Sequence, residues 1–149
     1  MKQRYIHWLL TTLLLGIITG CFVHRNMLYT PDIVLKDSGQ PCISIPSNED
    51  FFKRNKQFNI IVTGVFQTGV GELWSKDYLD LSKPYYVKTK ECLRFEYYFQ
   101  NNITYSIYFT TIEKGTDKNK HWHVDMRIKK TKDGALQLLL DEHARDVTQ

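Results

Sequence analysis

The amino-acid sequence predicts an all-β fold, an antiparallel β-sandwich of broadly immunoglobulin-like type. Tyrosine, phenylalanine, isoleucine, valine and threonine dominate residues 58–128, which is the composition of β-sheets. Apolar and polar residues alternate in several short runs, as they do on strands that have one buried face. Glycine, asparagine and aspartate separate these runs at regular intervals, which is typical of a sandwich with short turns.

The N-terminal half should supply a hairpin and three further strands. Residues 33–36 and 42–45 form the hairpin, because turn chemistry lies between them at residues 37–40. Residues 46–55 form a polar loop, and residues 77–84 form a loop or a single helical turn. Glycines punctuate a bend between the next two strands. The three further strands are expected at residues 58–66, 72–74 and 85–87.

The C-terminal half should supply four strands, two of which alternate clearly. One face of the first carries Leu93, Phe95, Tyr97 and Phe99. The next runs over residues 103–112, and a polar hairpin loop leads to a strand that alternates through residues 122–128. After a turn at 132–134, residues 136–140 form the last strand, and a charged tail follows.

A processing signal precedes the domain. Lys2 and Arg4 form a basic start, an apolar stretch runs to Ile18, and Ile18-Thr19-Gly20-Cys21 reads as a lipobox. Cys21 then becomes the lipidated first residue of the mature chain, and two or three acyl chains anchor it stably in a bilayer. Phe22 follows the cysteine, so no aspartate stands there to retain the protein at the inner membrane, and resemblance to other bacterial lipoproteins implies the outer membrane, facing the periplasm. An uncleaved N-terminal anchor and an ordinary signal peptide cut elsewhere are the alternatives.

These assignments divide the chain into four parts. Residues 1–20 are the lipoprotein signal peptide, 21–30 a lipidated tether, 31–141 the β-sandwich domain and 142–149 a flexible tail. Such a domain is of ordinary size for a single core. The formal net charge is +4, two units of which belong to Lys2 and Arg4, and the basic residues are scattered. This charge pattern argues against a nucleic-acid partner.

Cys42 and Cys92 form an even pair once Cys21 is assigned to lipid. In an exported domain such a pair is expected to form a disulfide, with two free thiols as the alternative. Both cysteines fall on the polar phase of their strands, Cys42 with Ser44 and Cys92 with Arg94. The sequence therefore predicts a bridge at a sheet edge or surface rather than between the sheets.

No catalytic or phosphate-binding motif occurs in the sequence, which indicates a protein that is not an enzyme and uses no cofactor. The one constellation with metal-ligand chemistry is His121, His123 and Asp125, which share a face of the predicted strand. The alternative for these three residues is the solvated face of a strand whose other side buries Trp122. We take this alternative and assign no metal-binding residue.

Several short motifs together resemble a known family of enterobacterial lipoproteins. They are Val34-Leu35-Lys36-Asp37, Gly39-Gln40-Pro41-Cys42, Gly71-Glu72-Leu73-Trp74, Lys83-Pro84, Glu91-Cys92-Leu93 and Tyr105-Ser106-Ile107. With the lipobox ahead of them, they are similar to periplasmic immunity proteins of the type VI secretion system. The similarity covers most of the mature chain, and residues 48–57 and 114–121 look individual to it.

The resemblance implies that the protein binds a toxin effector and blocks its active site. Aromatic anchors within a polar rim would serve such binding. The candidates are Phe51, Phe52, Tyr85, Tyr86, Tyr97, Tyr98 and Tyr108, although most of them are expected in the core or on a sheet face. The alternative function is that of a structural or assembly-associated outer-membrane lipoprotein that acts as a protein-binding module.

Overall fold

A computed structural model describes residues 27–50, 55–80 and 82–145, and it confirms the all-β sandwich. The described residues contain two short 3-10 turns, Ser47–Asp50 and Asp141–His143, and no helix in them is long and apolar enough to cross a membrane. The strands are β1 (Leu28–Tyr29), β2 (Asp32–Leu35), β3 (Pro41–Ser44), β4 (Phe58–Gln67), β5 (Gly71–Asp77), β6 (Tyr85–Val87), β7 (Thr104–Glu113), β8 (Asn119–Lys130) and β9 (Leu136–Leu140).

Seven of the strands form one large sheet. Its order is β1-β8-β7-β4-β5, with β6 also paired to β4 and β9 also paired to β8. The predicted antiparallel arrangement holds for every pair except one, because β1 runs parallel to β8 with Leu28 opposite His121. The sequence analysis assigned these residues to the tether, since a strand of two residues has no readable alternation.

The core lies on the inner face of the large sheet, where the alternation of β7 and β8 places large apolar side chains. Trp122 stacks on Phe109 with ring centroids 5.5 Å apart. The Trp122 indole Nε1 donates a hydrogen bond of 3.0 Å to the buried Thr111 hydroxyl, so its polar atom is satisfied. The buried set on these two strands is completed by Tyr105, Ile107, Val124, Met126 and Ile128.

The opposite layer consists of the β2–β3 hairpin and an extended stretch, residues 93–99, which we call the edge segment. Its predicted alternation is present, since Leu93 and Phe99 are buried and Tyr98 is exposed. The edge segment is not a paired strand, however, which corrects the sequence prediction. It is attached to the hairpin at two points, where Leu93 N donates to Ile43 O at 2.8 Å and the Gln40 side chain bonds both backbone groups of Phe99.

Pro41 explains why the pairing stops. Backbone groups of alternate residues point to the same side of a strand, so Pro41 faces the edge segment as Ile43 does. A proline has no N–H to donate, so the next bond of the ladder cannot form. The Gln40 side chain then replaces a backbone partner: its Nε2 donates to Phe99 O at 3.1 Å, and Phe99 N donates to its Oε1 at 3.0 Å.

The predicted disulfide joins Cys42 to Cys92, with Cα atoms 5.1 Å apart. It links the edge of the β2–β3 hairpin to the start of the edge segment. Ile43 belongs to the core cluster and Cys42 does not, as the polar phase of Cys42 predicted. Cys42 is nevertheless only 7% exposed and Cys92 is half-buried, so the bridge lies at a sheet edge but is largely covered.

The domain extends beyond its predicted bounds at both ends. It starts at β1, and beyond β9 the 3-10 turn Asp141–His143 leads into a fully buried Ala144, whose carbonyl accepts a 2.7 Å hydrogen bond from Thr104. Residues 142–145 are therefore packed on the sheet, although the sequence analysis placed them in a flexible tail. The signal peptide, Cys21 and the last four residues of that tail lie outside the described residues.

Candidate functional site: a polar groove on the outer face of the large sheet

The outer face of the large sheet carries the side chains that alternate with the core. On β7 and β8 these are polar or ionisable, and part of them line an open groove of about 620 Å³. We call this feature the outer groove. Two of its lining residues come from elsewhere, one from the β4–β5 turn and one from the C-terminal segment. Its lining consists of Thr68, Thr104, Ser106, His123, Asp125 and Arg145.

Asp125 is the centre of the outer groove, although only 6% of the residue is exposed. Its Oδ1 accepts a 2.6 Å hydrogen bond from Ser106 Oγ, which lies directly opposite on β7. Its Oδ2 accepts bonds from Arg145 Nε at 2.8 Å and Nη2 at 2.6 Å. His123 Nε2 lies 3.7 Å from Oδ1. A buried carboxylate is thus compensated by a cation and a hydroxyl, as burial requires.

These contacts set the protonation of Asp125. Burial raises the pKa of the Asp125 carboxyl, but the hydrogen bonds from Ser106 and Arg145 and the charge of Arg145 outweigh burial, so the pKa lies below its ordinary value. Arg145 is exposed on its other side. The groove therefore presents a guanidinium to solvent while the carboxylate beneath it stays ionised.

Replacing Asp125 by asparagine should change the acid stability of the protein. A depressed folded-state pKa means that the stabilising contribution of Asp125 is complete above its unfolded pKa, near 4, and is lost as the pH falls through the lower folded pKa. We expect Asp125→Asn to lower the free energy of unfolding by about 1 kcal/mol at pH 7 and to flatten its decline below pH 4. Urea denaturation at a series of pH values measures this, and equal slopes in both proteins would contradict it.

The three residues considered for metal binding are brought to one face but are occupied otherwise. His121 Nδ1 lies 3.1 Å from the Thr110 hydroxyl, and both oxygens of Asp125 are engaged by Ser106 and Arg145. Within the described part of the chain, no group of three His, Cys, Asp or Glu side chains could hold a metal ion. His121 and His123 lie on the solvated part of the strand face, whereas Asp125 on the same face is buried. The sequence does not predict this burial.

Serine, histidine and aspartate also meet in the outer groove, but not in the order of a nucleophilic triad. In a triad the histidine lies between the hydroxyl and the carboxylate, so that it can take the hydroxyl proton. Here Ser106 Oγ donates directly to Asp125. The arrangement therefore holds the carboxylate in place and leaves His123 at the rim, with its side chain 38% exposed.

Tyr108 is the aromatic candidate that lies on the outer face. Its ring covers Gly64, where any Cβ would lie within 2.4 Å of ring atoms, so glycine is required for this packing. Its hydroxyl donates a 2.6 Å bond to Glu72. Burial, followed by this hydrogen bond, raises the pKa of Tyr108 to about 12. Tyr108 is thus fixed as part of the sheet face.

The other aromatic candidates divide between core and surface. Tyr85 and Tyr97 are half-buried and pack on core aromatic rings or on a neighbouring tyrosine. Tyr86 is partly exposed beneath Lys114, and Tyr98 is highly exposed. Phe51 and Phe52 lie outside the described residues.

Sequence reasoning missed the apolar side chains beside the outer groove. Phe66 is 42% exposed and lies opposite Ser106 on the outer face, and Val70 is exposed at the tip of the β4–β5 turn. Phe66 ends a predicted strand to which the sequence analysis assigned no buried or exposed face. Arg145 was missed as well, because nothing in a charged tail indicates a partner on β8, 20 residues earlier in the chain.

The fold and the groove define a small all-β sandwich domain whose outer sheet face combines polar and apolar side chains, exposed among the residues that the structure describes. The chain belongs to the family described as Domain of unknown function (DUF7480), whose model matches residues 28–131. No curated protein and no solved structure matches it. The matched stretch begins with β1 and ends just after β8, so it includes the groove residues except Arg145.

Proposed function

We propose that this protein is a lipid-anchored envelope protein that binds and neutralises a secreted toxin, and that the outer groove with its apolar neighbours is the binding surface. One observation supports this proposal most strongly. Arg145 is exposed and is held by the buried Asp125, and the exposed side chains of Phe66 and Val70 lie on the same part of the molecule. Interfaces between proteins combine apolar and aromatic anchors with arginine in this way. Arg145 is held from below, so less of its conformational entropy is lost on binding.

The position of the groove on the sheet supports this use. If Cys21 is the lipidated residue, six residues lie between it and Leu28, and the seven Cα–Cα steps reach about 25 Å at most. Leu28 joins the large sheet opposite His121, near the start of β8. Asp125 lies four residues further along β8, roughly 13 Å from that entry point at the rise of a strand. An anchor attached ahead of Leu28 would therefore join the sheet at some distance from the groove and would leave the groove open to a soluble partner.

The disulfide supports the envelope location. The Cys42–Cys92 bridge persists in oxidising compartments such as the bacterial periplasm and is rare in the cytosol. The motifs that resemble immunity lipoproteins include both cysteines of this bridge.

A toxicity-rescue assay tests the proposal. The assay uses a toxin encoded by a gene beside that of this protein and directs the toxin to the periplasm. Cells that also produce the full chain should survive. We expect Phe66→Ala and Arg145→Ala each to weaken toxin binding by at least tenfold, because loss of a hot-spot side chain costs about 2 kcal/mol or more. Titration calorimetry with the purified toxin measures the change.

Lys129→Ala is the matched control, since Lys129 is an exposed cation on β8 that does not line the groove. It should protect cells as the unchanged protein does. If all variants protect cells equally, the groove is not part of the binding surface. If the unchanged protein fails to rescue cells from any toxin encoded beside it, and instead copurifies with an envelope assembly, toxin neutralisation is excluded.

A further inference from the structure

The edge segment carries backbone groups that have no hydrogen-bond partner among the residues that the structure describes. At one end Arg94 N donates to the Tyr85 hydroxyl at 2.9 Å, and Arg94 O accepts from the Tyr78 hydroxyl at 3.3 Å. At the other end Gln100 N donates to the Tyr105 hydroxyl at 3.1 Å. Between these points, none of the hydrogen bonds within the described chain reaches the backbone of Glu96 or Tyr98.

The alternation of an extended chain shows where these free groups point. Leu93 and Phe99, both odd-numbered, bond towards the β2–β3 hairpin. Arg94 and Gln100, both even-numbered, bond towards the opposite side. Glu96 and Tyr98 share the even phase, and both side chains are exposed. Their two N–H and two C=O groups therefore point away from the β2–β3 hairpin, along the free side of the edge segment. An added strand can pair with them there.

We propose that this edge pairs with the same edge of a second copy of the chain, in an antiparallel arrangement centred on Tyr97. In this register Glu96 of one copy faces Tyr98 of the other, and each of these two pairs exchanges both of its backbone bonds. Four free groups in each copy are thereby satisfied by the same four groups in its partner. An interface of this kind is self-complementary, as a twofold dimer requires.

The neighbouring registers are less favourable. Pairing centred on Glu96 would place two like charges directly opposite one another, which destabilises a sheet. Pairing centred on Tyr98 would bring Glu96 opposite Gln100, whose N–H is already bonded to Tyr105. Only the register centred on Tyr97 uses every free group and avoids facing carboxylates.

The side chains on this edge suit a second copy. Arg94, whose guanidinium lies 5.3 Å from the ring centroid of Tyr85 in its own chain, would also lie diagonal to the partner's Tyr98, where long side chains of paired strands meet. Tyr98 is 73% exposed, so its ring is available for that contact. Each Glu96 is paired with Lys76 on its own β5, which reduces the repulsion between the two carboxylates across the twofold axis. Anchoring in one bilayer would raise the local concentration of partners.

A proline at the edge tests the pairing without removing a bond of the monomer. Tyr98→Pro deletes an N–H that has no partner in the single chain and puts a ring where the second copy must approach. Tyr98→Ala is the comparison variant, because it removes the ring but keeps the backbone N–H. For the detergent-solubilised full chain in sedimentation, we expect a dimer for the unchanged protein, with Tyr98→Pro weakening dimerisation by roughly tenfold or more and Tyr98→Ala weakening it clearly less than Tyr98→Pro does.

Cysteine cross-linking tests the register in membranes and does not depend on the proline variant folding. Facing residues of the bonded pair lie about 5.5 Å apart at Cα, within the range for a disulfide, whereas identical positions lie diagonally at about 7–8 Å. Cells that produce differently tagged Glu96→Cys and Tyr98→Cys chains together should form a mixed cross-linked dimer, and neither variant alone should do so efficiently.

A monomeric unchanged protein, or equal cross-linking by single and mixed variants, would overturn the proposal. Cross-linking of the edge to a different protein would overturn it too, since the occupant would then not be a second copy. Toxin rescue is measured separately at the outer groove, so the failure of one proposal leaves the other standing.

Discussion

Loss of the Cys42–Cys92 bridge is expected to lower the free energy of unfolding by about 4 kcal/mol. The two cysteines are 50 residues apart, and closing a loop of that length in the unfolded chain corresponds to roughly this stabilisation in the chain-entropy model. Small domains have only about 5–15 kcal/mol in total. The double variant Cys42→Ala/Cys92→Ala should therefore unfold at a much lower urea concentration than the unchanged protein.

Reduction provides the control for this prediction. A reductant should shift the unchanged protein to the stability of the double variant and should leave the double variant unaffected. The bonds of Lys90 N to Ile45 O and Leu93 N to Ile43 O flank the bridge, so part of the attachment remains after reduction. A shift of less than about 1 kcal/mol would mean that these contacts, rather than the bridge, hold the edge segment.

Trp122→Ala should cost about 4 kcal/mol, the second large effect. Trp122 is 2% exposed, stacks on Phe109 and contacts Tyr29, so its truncation leaves a cavity at the centre of the sheet. It also removes the donor that satisfies the buried Thr111 hydroxyl. Urea denaturation followed by circular dichroism measures the loss.

Trp122→Phe separates the two contributions, because it keeps an aromatic ring against Phe109 but lacks the indole N–H. We expect it to cost less than half as much as alanine. If phenylalanine and alanine destabilise equally, the hydrogen bond to Thr111 rather than the packing would carry the effect.

The sequence was sufficient for features that depend on local alternation. Most of the strands followed from it, because one buried face gives a period of two. The pairing of Cys42 with Cys92 was predicted because Cys21 was expected to carry lipid, which left an even pair. Pairing between distant segments was harder to predict: β1 is too short to show a pattern, and the interruption at Pro41 acts on the edge segment more than 50 positions later.

The outer groove was only partly predictable, for a related reason. His123 and Asp125 were recognised because they alternate on one strand. Arg145 and Phe66 reach the same place from the C-terminal turn and from β4, and only the folded sheet brings them together. Burial of Asp125 could not be inferred from its neighbours, because Arg145 and Ser106 make that burial possible.

Two separate parts of the chain form the groove, strands β7 and β8 and the C-terminal turn. This division affects how the proposed binding surface can change in evolution. The floor of the groove is formed by side chains of β7 and β8, and the other faces of these strands form the core. A substitution in the floor is therefore expected to destabilise the fold. The cation of the groove is supplied by a short C-terminal turn beyond residue 131, where the family match ends, and Arg145 itself is mostly exposed. A substitution of Arg145 would change the charge that the face presents, but it would also leave the buried Asp125 carboxylate without its cation. Change in recognition at this position is therefore coupled to stability, and it is tolerated best when Asp125 changes with Arg145.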